Sequence, residues 1–107
     1  MTTKYLELKN LNSQNKNIRY FVTFDNVEDT FIFYVYWDKD CDCAFLSIYD
    51  YNNNPIITGR ALVNRLIIRN NKLPYEFYFL QINNETYEPT IDNIASEFVL
   101  AYDDSEE

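Results

Sequence analysis

The chain has no histidine, one glycine, three prolines and two cysteines among its 107 residues. Each scarcity removes a class of chemistry. Without histidine no imidazole activates a cysteine or serine nucleophile, none changes charge near neutral pH, and the usual companion of cysteine in a zinc site is missing. A single glycine cannot build a glycine-rich phosphate cradle. Cys41 and Cys43 stand one residue apart, which matches neither the redox spacing nor a complete zinc site, and a disulfide across one residue is strained. They read as free thiols of a reducing compartment. No run approaches the ~20 apolar residues of a membrane helix. No long apolar segment follows the opening Met-Thr-Thr-Lys-Tyr, so no secretory signal is expected and the chain is expected to be made and folded in cytoplasm.

Basic charge is also scarce. Nine basic residues face 17 acidic ones, a net charge of -8. A nucleic-acid binder needs a basic footprint, and Arg60, Arg65, Arg69 and Lys72 are too dispersed to make one. The acidic ending at 103–107 reads as a solvated tail.

What the chain has is core-forming side chains. It is 47% hydrophobic and 18% aromatic, with ten tyrosines and eight phenylalanines, which excludes intrinsic disorder. A chain of this length buries roughly 65% of its extended surface and has no material for a second core, so a single β domain over 1–107 is expected. The aromatic runs at 34–37 and 75–79 suit pleated strands better than helices.

Strands are expected at 5–8, 18–24, 30–37, 43–50, 55–57, 61–69, 75–82 and 97–102, separated by polar runs at 10–17, Asp25-Asn26, 38–40 and 70–72, and by an irregular stretch at 83–94 with a short turn at 92–95. About seven short strands at regular spacing, with no sustained helical period, point to an all-β fold, a small antiparallel barrel or sandwich. The run 30–37 is apolar on both alternating faces: Phe31, Phe33, Val35 and Trp37 on one, Ile32, Tyr34 and Tyr36 on the other. In 43–50, Ala44, Leu46 and Ile48 share a side opposite Cys43, Phe45, Ser47 and Tyr49, and the two runs form a hairpin. In 75–82, Phe77 and Phe79 oppose Tyr78, Leu80 and Ile82. Either such strands are central between layers, or their tyrosine faces meet a partner chain.

The segment "SIYDYNNNPIITGRALV" at 47–63 carries the turn chemistry. Asp50 and the asparagines Asn53 and Asn54 end a ladder and tolerate left-handed backbone. Pro55 lacks a ladder donor and belongs at a strand start or sheet edge. Gly59 supplies a bend between two short extended pieces. Asn64 and Arg65 sit less comfortably in a strand, and a bulge there changes which residues face inward.

Catalytic and metal readings find little support. Asp38, Asp40 and Asp42 alternate and so share one side of an extended chain, an arrangement that raises a carboxylate pKa or invites a hard cation. The twelve-residue calcium pattern is absent, however, and a solvated hairpin end accounts for the same residues. A small hydrolase using Asp38, Asp40 or Glu76 requires a concave site with shifted carboxylates. No catalytic residue, cofactor or metal is expected.

The pattern "FLSIYDYNNNPIITGRALV", with the aromatic strand at 30–37, the tyrosine and phenylalanine strand after it and a closing "FVLAY" before an acidic tail, resembles the small baseplate plug family of contractile-tailed bacteriophages. The resemblance runs from near Tyr5 to Tyr102 and is most specific at 46–63. Asn54 stands where that family commonly has glycine, and Arg60 where an aliphatic is more common. The resemblance implies a non-catalytic virion protein in the tail baseplate, made in the host cytoplasm. It would seal or organise the distal end of the tail tube through contacts with hub and tail tube proteins, in several copies as a possible homo-oligomer, with no nucleic acid or membrane partner. The residues themselves leave one alternative open, a non-catalytic module that binds carbohydrate or a host protein through an exposed aromatic face. Tyr34, Tyr36, Tyr49 and Tyr78 are the candidate interface residues, because tyrosine gives rigid contact area at low entropic cost.

Overall fold

The computed structural model describes residues 3–24 and 27–103. Eight strands follow in chain order: β1 (Thr3–Glu7), β2 (Asn17–Thr23), β3 (Thr30–Asp38), β4 (Cys43–Asp50), β5 (Pro55–Ala61), β6 (Leu66–Ile68), β7 (Phe77–Gln81) and, after the single helical turn α1 (Ile94–Glu97), β8 (Phe98–Asp103). They form two four-stranded antiparallel sheets, β2-β3-β4-β5 and β1-β8-β7-β6. The architecture is a sandwich, not a closed barrel.

Period-two alternation decides which side chains meet between the sheets. From the first sheet come Phe31, Phe33, Val35 and Trp37 of β3 and Ala44, Leu46 and Ile48 of β4. From the second come Phe77 and Phe79 of β7 and Phe98, Leu100 and Tyr102 of β8, all in one buried cluster. Phe33 meets Phe77 edge-on across the sheets with ring centroids 5.6 Å apart. Phe24, just past β2, contacts Phe77 at 5.9 Å and Tyr102 at 5.2 Å. Each such ring contributes roughly 1.5–3 kcal/mol by burial, with further gain from edge-to-face geometry. Tyr20 packs against this cluster with its hydroxyl buried and unpartnered among the described residues. Burial alone pushes that hydroxyl above the ordinary tyrosine range.

The turns follow side-chain chemistry. Asp38 Oδ1 accepts from the Asp40 amide at 2.8 Å in the β3–β4 hairpin, and Asn70 Oδ1 accepts from the Lys72 amide at 2.8 Å before β7. In the polar run after β1, Asn12 Oδ1 accepts from the amides of Gln14 and Asn15. These are the local bonds by which Asp and Asn compete with a ladder. The expected Asp25-Asn26 turn and the acidic run 104–107 lie outside the described residues.

Three expectations are corrected. Gly59 lies inside β5, not between two separate pieces; its φ of 59° makes the extra residue of a bulge, where Thr58 and Gly59 together oppose Ser47. Ser47, only 5% exposed, accepts the freed Gly59 amide on its Oγ at 3.0 Å. The run 61–69 is not one strand. β5 ends at Ala61, the Leu62 amide still reaches the Ala44 carbonyl, and the Arg65 amide already bonds Phe79 of the other sheet. The chain therefore changes sheets between Leu62 and Arg65, at a left-handed Arg65 with φ of 68°. Finally, the last strand starts at Phe98, because Glu97 completes α1.

Candidate functional site

With the core filled between the sheets, the side chains of opposite parity face outward. On the β2–β5 sheet, antiparallel register sets Arg19 beside Tyr34 and Tyr34 beside Ser47. It likewise sets Phe21 beside Ile32 and Ile32 beside Tyr49, with Tyr36 beside Phe45. Tyr34 stacks on Tyr36 at 5.2 Å and Tyr36 on Phe45 at 5.5 Å. Phe21 and Tyr51, 65% and 67% exposed, stand 6.4 Å apart beyond this ladder. Ile32 points outward yet is only 3% exposed, because its cross-strand neighbours Phe21 and Tyr49 flank it. The outer face of this sheet is thus a continuous aromatic surface.

The turn residues named from the sequence lie at one end of that face. Asp50 Oδ1 accepts from the amides of Asn52 and Asn54, both at 2.9 Å, while Asn54 Nδ2 donates to Asp50 Oδ2 at 3.1 Å. The Asn54 amide, first among these donors, holds the Asp50 carboxyl below the ordinary carboxylate range. The left-handed residue of the turn is Asn53, with φ of 67°, not Asn54. Pro55 opens β5, the edge strand, where its missing donor costs no ladder bond. Asn53 Oδ1 accepts from Arg19 Nη2 at 3.4 Å. Arg19, Tyr34, Tyr49 and Asn53 line an open pocket of about 450 Å³.

Tyr78 is not part of this surface. It lies on β7, in the other sheet, where it donates to Glu76 at 3.0 Å, and that bond raises its hydroxyl pKa. Tyr34, Tyr36 and Tyr49 are brought together; Tyr78 is separated from them by the whole core. The reading from sequence also passed over Arg19, Phe21, Phe45 and Tyr51. Phe21 was legible: with Tyr20 and Val22 inward, period two turns Phe21 out.

The second sheet carries a larger and more enclosed apolar groove of about 630 Å³, bordered by Tyr5, Leu80, Ile82 and Val99. A buried amide pins down the irregular stretch after β7. Gln81, 4% exposed, accepts the amides of Asn83 and Glu85 on Oε1 and donates from Nε2 to the Tyr87 hydroxyl, which donates in turn to Glu97. Asn64 closes the other side, donating to the carbonyls of Glu85 and Tyr87.

The chemical groups considered from sequence are dispersed. Cys41 is exposed and Cys43 half-buried, both as free thiols; burial, and then the neighbouring Cys41, push the Cys43 thiol up, away from a reactive thiolate. Among the described residues no group of three or more Cys, Asp or Glu is placed to hold a metal ion.

No curated protein and no solved structure matches the chain. A family model does: that of the cyanophage baseplate plug, Pam3 plug gp18, matches residues 4–106 and so takes in every strand from β2 to β8 and nearly all of β1. With that coverage, the chain belongs to the phage baseplate plug family, a family of structural components of the virion tail.

Proposed function

We propose that this protein is a non-catalytic plug that seals or organises the distal end of the tail tube, contacting hub and tail tube proteins through the outer aromatic face of the β2–β5 sheet. The observation that carries the reading is surplus aromatic surface. The core is complete without Tyr34, Tyr36, Phe45, Tyr49, Phe21 or Tyr51; Phe21 and Tyr51 are exposed and the other four half-buried, and contiguous surface aromatics of this kind are characteristic of interface centres. The turn built by Asp50, Asn53, Asn54 and Pro55, with the Gly59 bulge, sets the end and edge of that face. Tyr78, on the opposite sheet, would serve a second contact or none. In a symmetric tube the plug would act in several copies.

The test is a pair of substitutions read in the particle and in isolation. Phe21→Asp uncovers Ile32 and gives up the Tyr51 ring contact, so it should cost about 1 kcal/mol and leave the chain folded, while abolishing incorporation into baseplates. Tyr36→Ser should also block incorporation, at some cost in folding from the two lost ring contacts. Particles that assemble normally with Phe21→Asp would remove this face from the interface. Sugar or host-protein binding by the same aromatics is the competing reading, and glycan-array binding lost in Phe21→Asp would favour it.

A further inference from the structure

The pocket formed by Arg19, Tyr34, Tyr49 and Asn53 has an unusual composition for this chain. Acidic residues outnumber basic ones 17 to nine, yet no carboxylate lines this pocket. Arg19 is exposed, and among the described residues the one hydrogen bond of its side chain is the long 3.4 Å contact to the neutral amide of Asn53. Lys9 pairs with Glu7 at 3.2 Å and Arg69 with Glu76 at 3.4 Å, whereas Arg65, like Arg19, meets an asparagine Oδ1, that of Asn84 at 3.5 Å. The remaining polar groups here are two tyrosine hydroxyls and the Asn53 side-chain amide, all able to donate. The guanidinium is rigid, planar and matched to a carboxylate's two oxygens.

We infer that this pocket receives an aspartate or glutamate side chain from an acidic segment of a neighbouring baseplate protein, the carboxylate pairing with Arg19 between the rings of Tyr34 and Tyr49. The inference rests on the proposal that this face meets other baseplate proteins and names the chemistry of that contact. A different protein is favoured over a second copy because two copies each carrying a net charge of -8 repel one another on approach. The backbone positions the site before the partner arrives. Arg19 and Tyr34 are register neighbours on β2 and β3, and Asn53 is held by a left-handed turn that Asp50 ties.

The experiment uses the whole chain, labelled with nitrogen-15, and two capped peptides unrelated to its own sequence: Gly-Glu-Gly-Asp-Gly as the acidic probe and Gly-Gln-Gly-Asn-Gly as its neutral counterpart. The acidic peptide is expected to shift the Arg19 Nε and Asn53 Nδ2 resonances saturably, to weaken at high ionic strength, and to lose about fivefold or more in affinity in Arg19→Gln. Arg19 is exposed on an edge strand, so unchanged spectral dispersion will verify that the variant folds. Arg19→Lys should recover only part of the affinity, since a point charge lacks the paired donors. Equal binding of the neutral peptide, undiminished binding in Arg19→Gln, or no saturable shift would overturn the assignment. Self-association of the free protein that depends on Arg19 would put a second copy in the pocket and overturn the choice of partner. None of these failures touches the plug reading, which is decided by incorporation of Phe21→Asp into particles.

Discussion

The β2–β5 sheet is a run of consecutive strands joined by hairpins, whereas the other sheet gathers β1 from one end of the chain and β6, β7 and β8 from the other. The ladders differ accordingly. β3 and β4 pair over Phe31 to Asp50 in eight register positions, while β6 and β7 share three. The outer surfaces differ too: the hairpin sheet carries the ladder of half-buried aromatics with Phe21 and Tyr51 exposed beside it, and the other sheet is followed by the stretch after β7 that Gln81 and Asn64 fasten. Local pairing needs little loop closure and so asks less of contacts made on the sheet's outer face. The sheet assembled from distant segments relies on the shared core and on buried amide bonds.

The largest expected effect comes from breaking what both sheets share. Phe33→Ala and Phe77→Ala should each cost about 3–5 kcal/mol in chemical denaturation, and the double variant should cost less than the sum, because the two rings touch each other. Strict additivity would mean that the sheets are coupled by other contacts.

Next comes the fastening of the second sheet. Gln81→Leu removes the buried side-chain amide that accepts from the Asn83 and Glu85 amides and donates to the Tyr87 hydroxyl, and the three lost hydrogen bonds together should cost about 1–3 kcal/mol. Limited proteolysis should then cut first within 83–93, while the hairpin sheet keeps its amide protection. Uniform loss of protection across both sheets would erase the contrast drawn here.

A comparable or smaller effect is expected in the hairpin sheet at its bulge. Gly59→Val should destabilise by about 1–3 kcal/mol through its positive φ. An added Cβ meets nothing within 4 Å, so space is not the reason, and Gly59→Asn should recover much of the loss because asparagine accepts left-handed backbone. Equal melting temperatures for the glycine and valine forms would remove the special conformation.

The smallest effect concerns pH. The Asp50 carboxyl is held below its unfolded value by the Asn54 amide, so the charged form favours the folded state. Its contribution is present above the ordinary carboxylate range and lost as pH falls through the lowered folded value. Asp50→Asn should therefore be slightly less stable than the parent at neutral pH, with the gap closing in acid. A gap that persists unchanged below the carboxylate range would assign it to geometry and not to charge.

The alternation of Phe31, Phe33, Val35 and Trp37 against Ile32, Tyr34 and Tyr36 was readable because strand parity is a local property of the backbone. So were the Asp50 turn and the β3–β4 hairpin. The break of 61–69 was harder to read: Leu62, Leu66 and Ile68 all pack inward, and inwardness looks the same whichever sheet supplies it. The site was half legible. Tyr34, Tyr36 and Tyr49 were recognised as candidates from residue type, but Tyr78 was grouped with them although it faces away on the other sheet, and Arg19 was overlooked because nothing near it in the chain signals the pocket.

By itself the sequence determined that this chain folds as antiparallel strands, which side chains oppose one another on each strand, where the Asp50 turn and the β3–β4 hairpin fall, and that the chain has no histidine. These depend on backbone period, turn propensity and composition, which act over a few residues. Only the tertiary structure decided which strands share a sheet, on which of two outer faces each tyrosine emerges, and that Arg19 meets Tyr34, Tyr49 and Asn53. Those depend on contacts between residues far apart in the chain, and they follow from burying all the inward phenylalanines against one another at once.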